Sequence, residues 1–294
     1  MKKILCLLIC AAVIISVFSA CSKEKETPEY SPIEKTGDFS VVSFNCAAPW
    51  GSSKNNTKSS ARVVRFAAYM NAVKPDIIGT QEMNSDWQEK LAELMPDYDC
   101  YGVPRGGDDN EKKSEMNSIF WLKDKYTCAD SSTFWLSEST TENTKYMGAG
   151  CNRICSYVVL LNNETGESII HLNTHLDNVS GAAREYGARL ITLRIDMLKN
   201  SFPDSTFVVT GDLNDFEDGK PCTILSEKLT NCQSVAAEPP GVTYQNWGEV
   251  DEGTPIDFIF TSATPVDYRL LDDVSNGFVS DHYGVFAQIN YATE

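Results

Sequence analysis

Histidine is scarce in this chain, with three in 294 residues. The ten cysteines include no Cys-x-x-Cys pair, so a structural zinc site is not expected. No stretch is rich in Lys and Arg, and the formal charge is −16. That balance opposes loose electrostatic attachment to nucleic acid, although it leaves room for a locally basic groove. Beyond residue 37 there is no second linker, low-complexity run or internal repeat, and one large domain with a substantial core is the simplest account. The longest apolar run, Ile4 to Phe18, is too short for a comfortable membrane span.

What the N-terminus does contain is Met1-Lys2-Lys3, that apolar run, and then Ser19-Ala20-Cys21, the layout of a secretory signal. A cysteine directly behind the small residues resembles a bacterial lipoprotein signal. Residues 1–20 are therefore expected to be a lipoprotein signal peptide, with Cys21 lipidated as the only membrane attachment. Residues 21–37, polar and broken by prolines, read as a flexible tether, and 38–294 as the folded domain. The charged segment behind Cys21 resembles the surface-export signal of Bacteroidetes lipoproteins. The expected location is extracytoplasmic, on the outer membrane, facing the periplasm or the cell surface. Removing 1–20 takes away Lys2 and Lys3 and no acid, moving the charge from −16 to −18. With Cys6 and Cys10 removed and Cys21 lipidated, seven cysteines remain, an odd number, so at least one thiol stays unpaired.

Periodicity predicts a layered α and β fold. Asp38 to Asn45 reads as a strand ending in an amide. Ser60 to Val73 is an amphipathic helix stopped by Pro75, and Asp76 to Glu82 is a strand ending in a carboxylate. A helix over Asp86 to Met95 follows. Strands are expected at 98–103, 116–121, 133–136, 154–161 and 168–176, with a hairpin turn at 162–167. Gly181 to Phe202 reads as a helix with Leu190, Leu193 and Met197 on one face. Phe207 to Asp212 is an apolar strand, followed by a short helix near 222–229 and strands at 256–261 and 279–291. The polar loops 104–114 and 137–152 are candidate substrate walls.

Side chains alternate along a strand, so Asp212 and Asn214 point to one side at the tip of the Phe207 strand. Alone they fit a strand cap as well as an oxygen-donor site. His175, in Asn173-Thr174-His175-Leu176-Asp177, and His282, in Ser280-Asp281-His282, each fit either a surface residue or a general acid or base. His171 is expected to be structural. Six strand ends nevertheless carry Asn45, Glu82, His175, Asp212 with Asn214, Asp257, and Asp281 with His282.

From Ser43-Phe44-Asn45 to Ser280-Asp281-His282, these motifs in this order resemble the endonuclease/exonuclease/phosphatase superfamily, the group that includes deoxyribonuclease I, and its secreted Bacteroidetes lipoprotein members. The resemblance implies an α+β fold, a four-layer α/β/β/α sandwich of two mixed, mostly antiparallel sheets packed face to face with helices outside. It implies Mg²⁺ or Mn²⁺ at Glu82, Asn45 and Asp281, an arrangement of few carboxylates that suits Mg²⁺. His282 would contact the phosphate and help activate water, with Asp257 orienting its ring. Asp212 would position the water, and Asn214 a phosphate oxygen. His175 would steady the phosphate or leaving oxygen, partnered by Glu115, and Arg153 would bind phosphate through its fork. Leu213, Phe258 and Asn178 depart from the usual pattern and bear on the subfamily.

The expected activity is metal-dependent hydrolysis of a phosphate mono- or diester by in-line attack of water, on a small extracytoplasmic phosphoester. Trp50, Tyr146, Met147 and Trp247 are expected to narrow the pocket. A DNA or RNA nuclease is the alternative, and a non-catalytic surface binding protein a more distant one. A monomer with no stable nucleic-acid complex is expected.

Overall fold

The computed structural model describes residues 27–49, 58–107 and 114–292. The expected signal peptide, Cys21 and Trp50 lie outside the described residues. Among those described, no helix is long and apolar enough to cross a membrane.

In chain order the strands are β1 (Phe39–Asn45), β2 (Ile77–Gln81), β3 (Tyr98–Tyr101), β4 (Ile119–Leu122), β5 (Tyr126–Trp135) and β6 (Ile154–Asn162). They continue as β7 (Ser168–His175), β8 (Thr206–Asp212), β9 (Thr230–Asn231), β10 (Asp257–Thr261), β11 (Thr264–Leu271) and β12 (Gly284–Asn290). One sheet runs β11-β12-β1-β2-β4-β3 and the other β5-β6-β7-β8-β10-β9. Each has a single parallel pair at its centre, β1 with β2 and β7 with β8, and antiparallel neighbours elsewhere. The helices are α1 (Ser59–Val73), α2 (Ser85–Leu94), α3 (Gly181–Ser201) and α4 (Lys220–Ser226).

The strands alternate between two cores. Val41, Ile77, Ile119, Val158, Ile169, Val208 and Ile259 meet between the sheets. Val42, Phe44 and Ile78 pack outward with Phe66, Met70, Trp87 and Leu91 of α1 and α2. Val159, Ile170 and Val209 pack with Ile191, Ile195 and Leu225 of α3 and α4. The result is the four-layer α/β/β/α sandwich. Each fully buried side chain of this size contributes roughly 1.5–3 kcal/mol of burial free energy.

Between the sheets, close to the site, the packing turns polar. Asn173 accepts from Gln81 Nε2 at 2.7 Å and from the Thr210 hydroxyl at 3.0 Å, and donates to Thr80 O and Ser118 O. The Thr210 hydroxyl gives its hydrogen to Asn173, so it accepts from His171, whose Nε2 lies 2.7 Å away. The sheets approach so closely here that a Cβ on Gly79 would stand 2.1 Å from Thr210 Oγ1 and 2.8 Å from Asn173 Oδ1.

Three expectations change. Strand β5 begins at Tyr126, well before Thr133, and β11 was not expected at all. Both are edge strands with one solvated face, so charged residues and Pro265 interrupt the apolar signal. The closing strand starts at Gly284, which leaves Asp281 and His282 in the preceding loop. On α3 the buried face is Ala183, Gly187, Ala188, Ile191, Ile195 and Leu198, whereas Leu193 and Met197 face solvent at 55% and 53% exposure.

The inner end of the expected tether lies against the domain. Tyr30 stacks on Tyr69 with ring centroids 4.2 Å apart, Glu34 O accepts from Gln288, and Ile33 packs on the α1 core. The seven cysteines among the described residues are all free thiols.

Candidate active site

The C-terminal ends of β1, β2, β7 and β8 and the N-terminal ends of β10 and β12 meet at one end of the sandwich. A cleft of about 500 Å³ opens there, lined by Glu82, Glu115, Arg153, His175, Asp212, Asn214, Asp281 and His282, with Arg105, Cys151, Asn178, Tyr244 and Ile256. Asn45 and Asp257 lie fully buried behind it and bond to its walls. All ten residues singled out from the sequence are thus brought together.

Strand register sets the second sheet's contribution. Asp212 pairs with His175 on one side and Asp257 on the other. Asp257 Oδ2 lies 2.8 Å from His282 Nδ1, while His282 Nε2 stands 3.9 Å from Asp212 Oδ2. Burial alone would lower the His282 pKa, but Asp257, with Asp212 and Asp281 behind it, outweighs that and holds the imidazole up to about 10. Asp212 moves the other way from an ordinary carboxylate, raised first by burial and then by the charge of Asp257. Asn214, with φ +49, folds back so that its backbone N–H bonds Asp212 Oδ1 at 2.8 Å.

His175 is held neutral, its pKa pushed well below normal by burial and then by Arg153 and Arg105. The Asn214 amide nitrogen, which can only donate, lies 2.9 Å from His175 Nε2. His175 Nε2 is therefore the acceptor and Nδ1 carries the hydrogen. Glu115 Oε2 is 3.9 Å from that Nδ1 but only 2.8 Å from Arg105 Nη1, so Glu115 serves Arg105 more directly than His175. Arg153 donates from Nη2 to Asn178 Oδ1 at 3.1 Å, with Asp177 3.7 Å from its Nε.

The first sheet's residues sit mostly in loops. Glu82 follows β2 with φ +57, its Oε2 accepting from Ala48 N–H at 2.8 Å. The Asn45 amide donates to Glu82 Oε1 at 3.1 Å and to Asp212 Oδ2 at 3.0 Å, while its Oδ1 accepts from Ala47 N–H. Asn45 thus presents donors, spacing two carboxylates, rather than an oxygen. Burial raises the Asp281 pKa, and Glu82 adds to the rise. Two carboxylates in one cleft, with the Glu82 charge raising the Asp281 pKa, are a donor set that a hard divalent cation fits. A second convergent set, Asp212, Asp257 and His282, offers ligand atoms within 4.8 Å of one another. Metal binding there would compete with the His282–Asp257 hydrogen bond.

Four cleft residues besides Ile256 were missed. Arg105 lies inside the polar loop read as a wall, but nothing local distinguishes it from other loop arginines. Cys151, 3.2 Å from Arg105 Nη1, Asn178, and Tyr244, whose ring centroid is 5.1 Å from that of His282, likewise depend on tertiary contacts. Of the residues expected to narrow the pocket, the three that are described, Tyr146, Met147 and Trp247, do not line the cleft. Tyr146 packs on Tyr186, Met147 is 84% exposed, and Trp247 is buried against Phe278 and Arg62.

An endonuclease/exonuclease/phosphatase from Bacteroides vulgatus is 27% identical, covering 87% of this chain and 100% of its own, with a TM-score of 0.78. A mannosyl-6-phosphatase from Bacteroides thetaiotaomicron is 26% identical over 85% of this chain and 99% of its own, with a TM-score of 0.77. The human Nocturnin catalytic domain, 17% identical over 86% of this chain and 94% of its own, shares the fold with a TM-score of 0.69. No curated protein matches the sequence. The endonuclease/exonuclease/phosphatase family matches residues 42–282, so the chain belongs to that family of phosphoester hydrolases.

Proposed function

We propose that this protein hydrolyses a small extracytoplasmic phosphoester, such as a sugar phosphate, using Mg²⁺ or Mn²⁺. The observation that carries the reading is the His282–Asp257 pair at 2.8 Å, with His282 lining one cleft together with Asp212, Glu82 and Asp281. Glu82 and Asp281 would hold the cation. When bound, it neutralises charge on the phosphoryl oxygens and polarises the phosphorus for attack.

The chain's own residues divide the remaining work. Asp212, with its pKa raised, suits a group that orients water and takes its proton near neutrality. Protonated His282 sets a positive charge against a phosphoryl oxygen, held by Asp257. Arg153 and Arg105 supply positive charge to the cleft, and the Asn214 amide, which donates to His175 Nε2 and Leu176 O, holds the His175 ring in place. The 26%-identical mannosyl-6-phosphatase supports a sugar-phosphate substrate, and the charge of −16 argues against a nonspecific nuclease. The same reading takes the protein as a monomer that forms no stable nucleic-acid complex. It is anchored only through lipid on Cys21, on the periplasmic or outer face of the outer membrane.

The test is hydrolysis with and without Mg²⁺ or Mn²⁺ across p-nitrophenyl phosphate, bis-p-nitrophenyl phosphate, sugar phosphates, RNA and single- and double-stranded DNA. Glu82→Ala and His282→Ala serve as controls. Metal-dependent turnover of a small ester, lost in both variants, is expected. Turnover unchanged in both would sink the catalytic reading, and DNA or RNA cleaved faster than every small ester would make the protein a nuclease.

A further inference from the structure

Arg62 takes no part in the chemistry described above, yet it is 2% exposed in the first turn of α1. Its guanidinium stacks over Trp87 at 4.9 Å and Trp247 at 5.3 Å. Its hydrogen bonds go to backbone carbonyls. Nη1 donates to Cys46 O at 2.5 Å and Val279 O at 3.1 Å, and Nη2 to Ala47 O at 3.0 Å and Ala48 O at 3.4 Å. The first, third and fourth belong to the turn after β1, and Val279 lies two residues before Asp281.

That turn is not self-supporting. Ala47 has φ +52, a left-handed conformation unfavourable for a residue with a Cβ. The next N–H, that of Ala48, is the one that orients Glu82 through Oε2. One planar, five-donor group therefore fastens together the turn that aims Glu82 and the segment that carries Asp281.

We infer that Arg62 is a positioning residue of the metal-binding end, setting the separation of Glu82 and Asp281 by clamping the backbone that carries or orients each. The inference rests on the reading of those two acids as cation ligands. Because the clamp works through the fork, Arg62→Lys, which keeps the charge, separates position from electrostatics. Arg65→Lys is the control. It lies on the same helix, and its Nη1 donates to Phe278 O at 3.1 Å without reaching the turn after β1.

Calorimetric titration of Mn²⁺ into wild type and both variants tests this, with circular dichroism and thermal unfolding to establish folding. Loss of a group that orients metal ligands typically costs about 10-fold to 100-fold in metal affinity. Arg62→Lys is expected to weaken Mn²⁺ binding by about 10-fold, while kcat at saturating metal stays within a few-fold of wild type. Arg65→Lys should bind as wild type does. Should Arg62→Lys fail to fold, Trp247→Leu, which loosens the stack and leaves Arg62 in place, is expected to weaken binding in the same direction. Wild-type affinity in the folded Arg62 variant, or in Trp247→Leu where that variant decides, overturns the inference alone. Absence of Mn²⁺ and Mg²⁺ binding in wild type overturns the cation site itself.

Discussion

The two sheets deliver polar residues to the same end of the sandwich by different means. In the second sheet His175, Asp212 and Asp257 are members of hydrogen-bonded ladders, and their mutual positions follow from register. In the first sheet Asn45 ends its strand, but Glu82, Asp281 and His282 lie just outside the ladders, and Glu82 adopts φ +57. A ladder residue is placed by its neighbours' backbone. A loop residue needs further devices, here the Ala48 N–H, the Ser280 hydroxyl against Asp281 and the Arg62 clamp. The rigid side carries Asp212, assigned to the water, and Asp257, which holds His282, where small displacements matter most, and the loop side carries His282 and the acids assigned to the cation.

The largest expected effect separates the two sides. Asp212→Asn should lower kcat by about 10²–10⁴ at every metal concentration, the usual contribution of a positioned acid or base. Glu82→Gln should instead raise the metal concentration needed for half-maximal rate. Rate against metal concentration for the two variants measures this, and curves of the same shape would erase the distinction.

The rigidity attributed to the second sheet depends on the polar seam that joins it to the first. Gly79→Ala forces a methyl into Thr210 and Asn173 and should cost about 1–3 kcal/mol of stability, as overpacking does. Denaturant unfolding checks it, and an unchanged midpoint would mean that the sheets can separate there freely.

A smaller effect is reserved for acid. His171 is completely buried, its pKa lowered by burial to about 3. Below pH 6.5 the unfolded chain takes up a proton that the folded one refuses, so stability falls as pH drops from about 6.5 towards 3. Between pH 7 and pH 5 the loss from this group is about 2 kcal/mol. His171→Gln should remove that part of the slope in unfolding curves at the two pH values. A variant with the same slope as wild type would assign the acid sensitivity elsewhere.

Legibility followed the same divide. Central strands β1, β2, β7, β8 and β10 announced themselves as apolar runs ending in a polar residue, because a strand covered on both faces tolerates little else. Edge strands β5 and β11 did not, since half of each faces water. Leu193 and Met197 misled because spacing of three and four defines a face without saying which way it points. The Phe207 strand illustrates the gain. Alone, Asp212 and Asn214 fitted a cap, and the structure makes them both, with the Asp212 carboxylate capping the Asn214 N–H while each residue lines the cleft.

The sequence by itself determined the family, the order of the strands' polar tips and the set of acids, imidazoles and amide at the site, because these recur as short local motifs. Only the tertiary structure decided that Glu115 serves Arg105, that Asn45 donates rather than accepts, that Trp247 covers Arg62, and that Arg105 and Tyr244 belong to the cleft. Those outcomes depend on which side chains meet, across 10 residues of chain for Arg105 and Glu115 and 167 for Asn45 and Asp212, and no local pattern encodes such meetings.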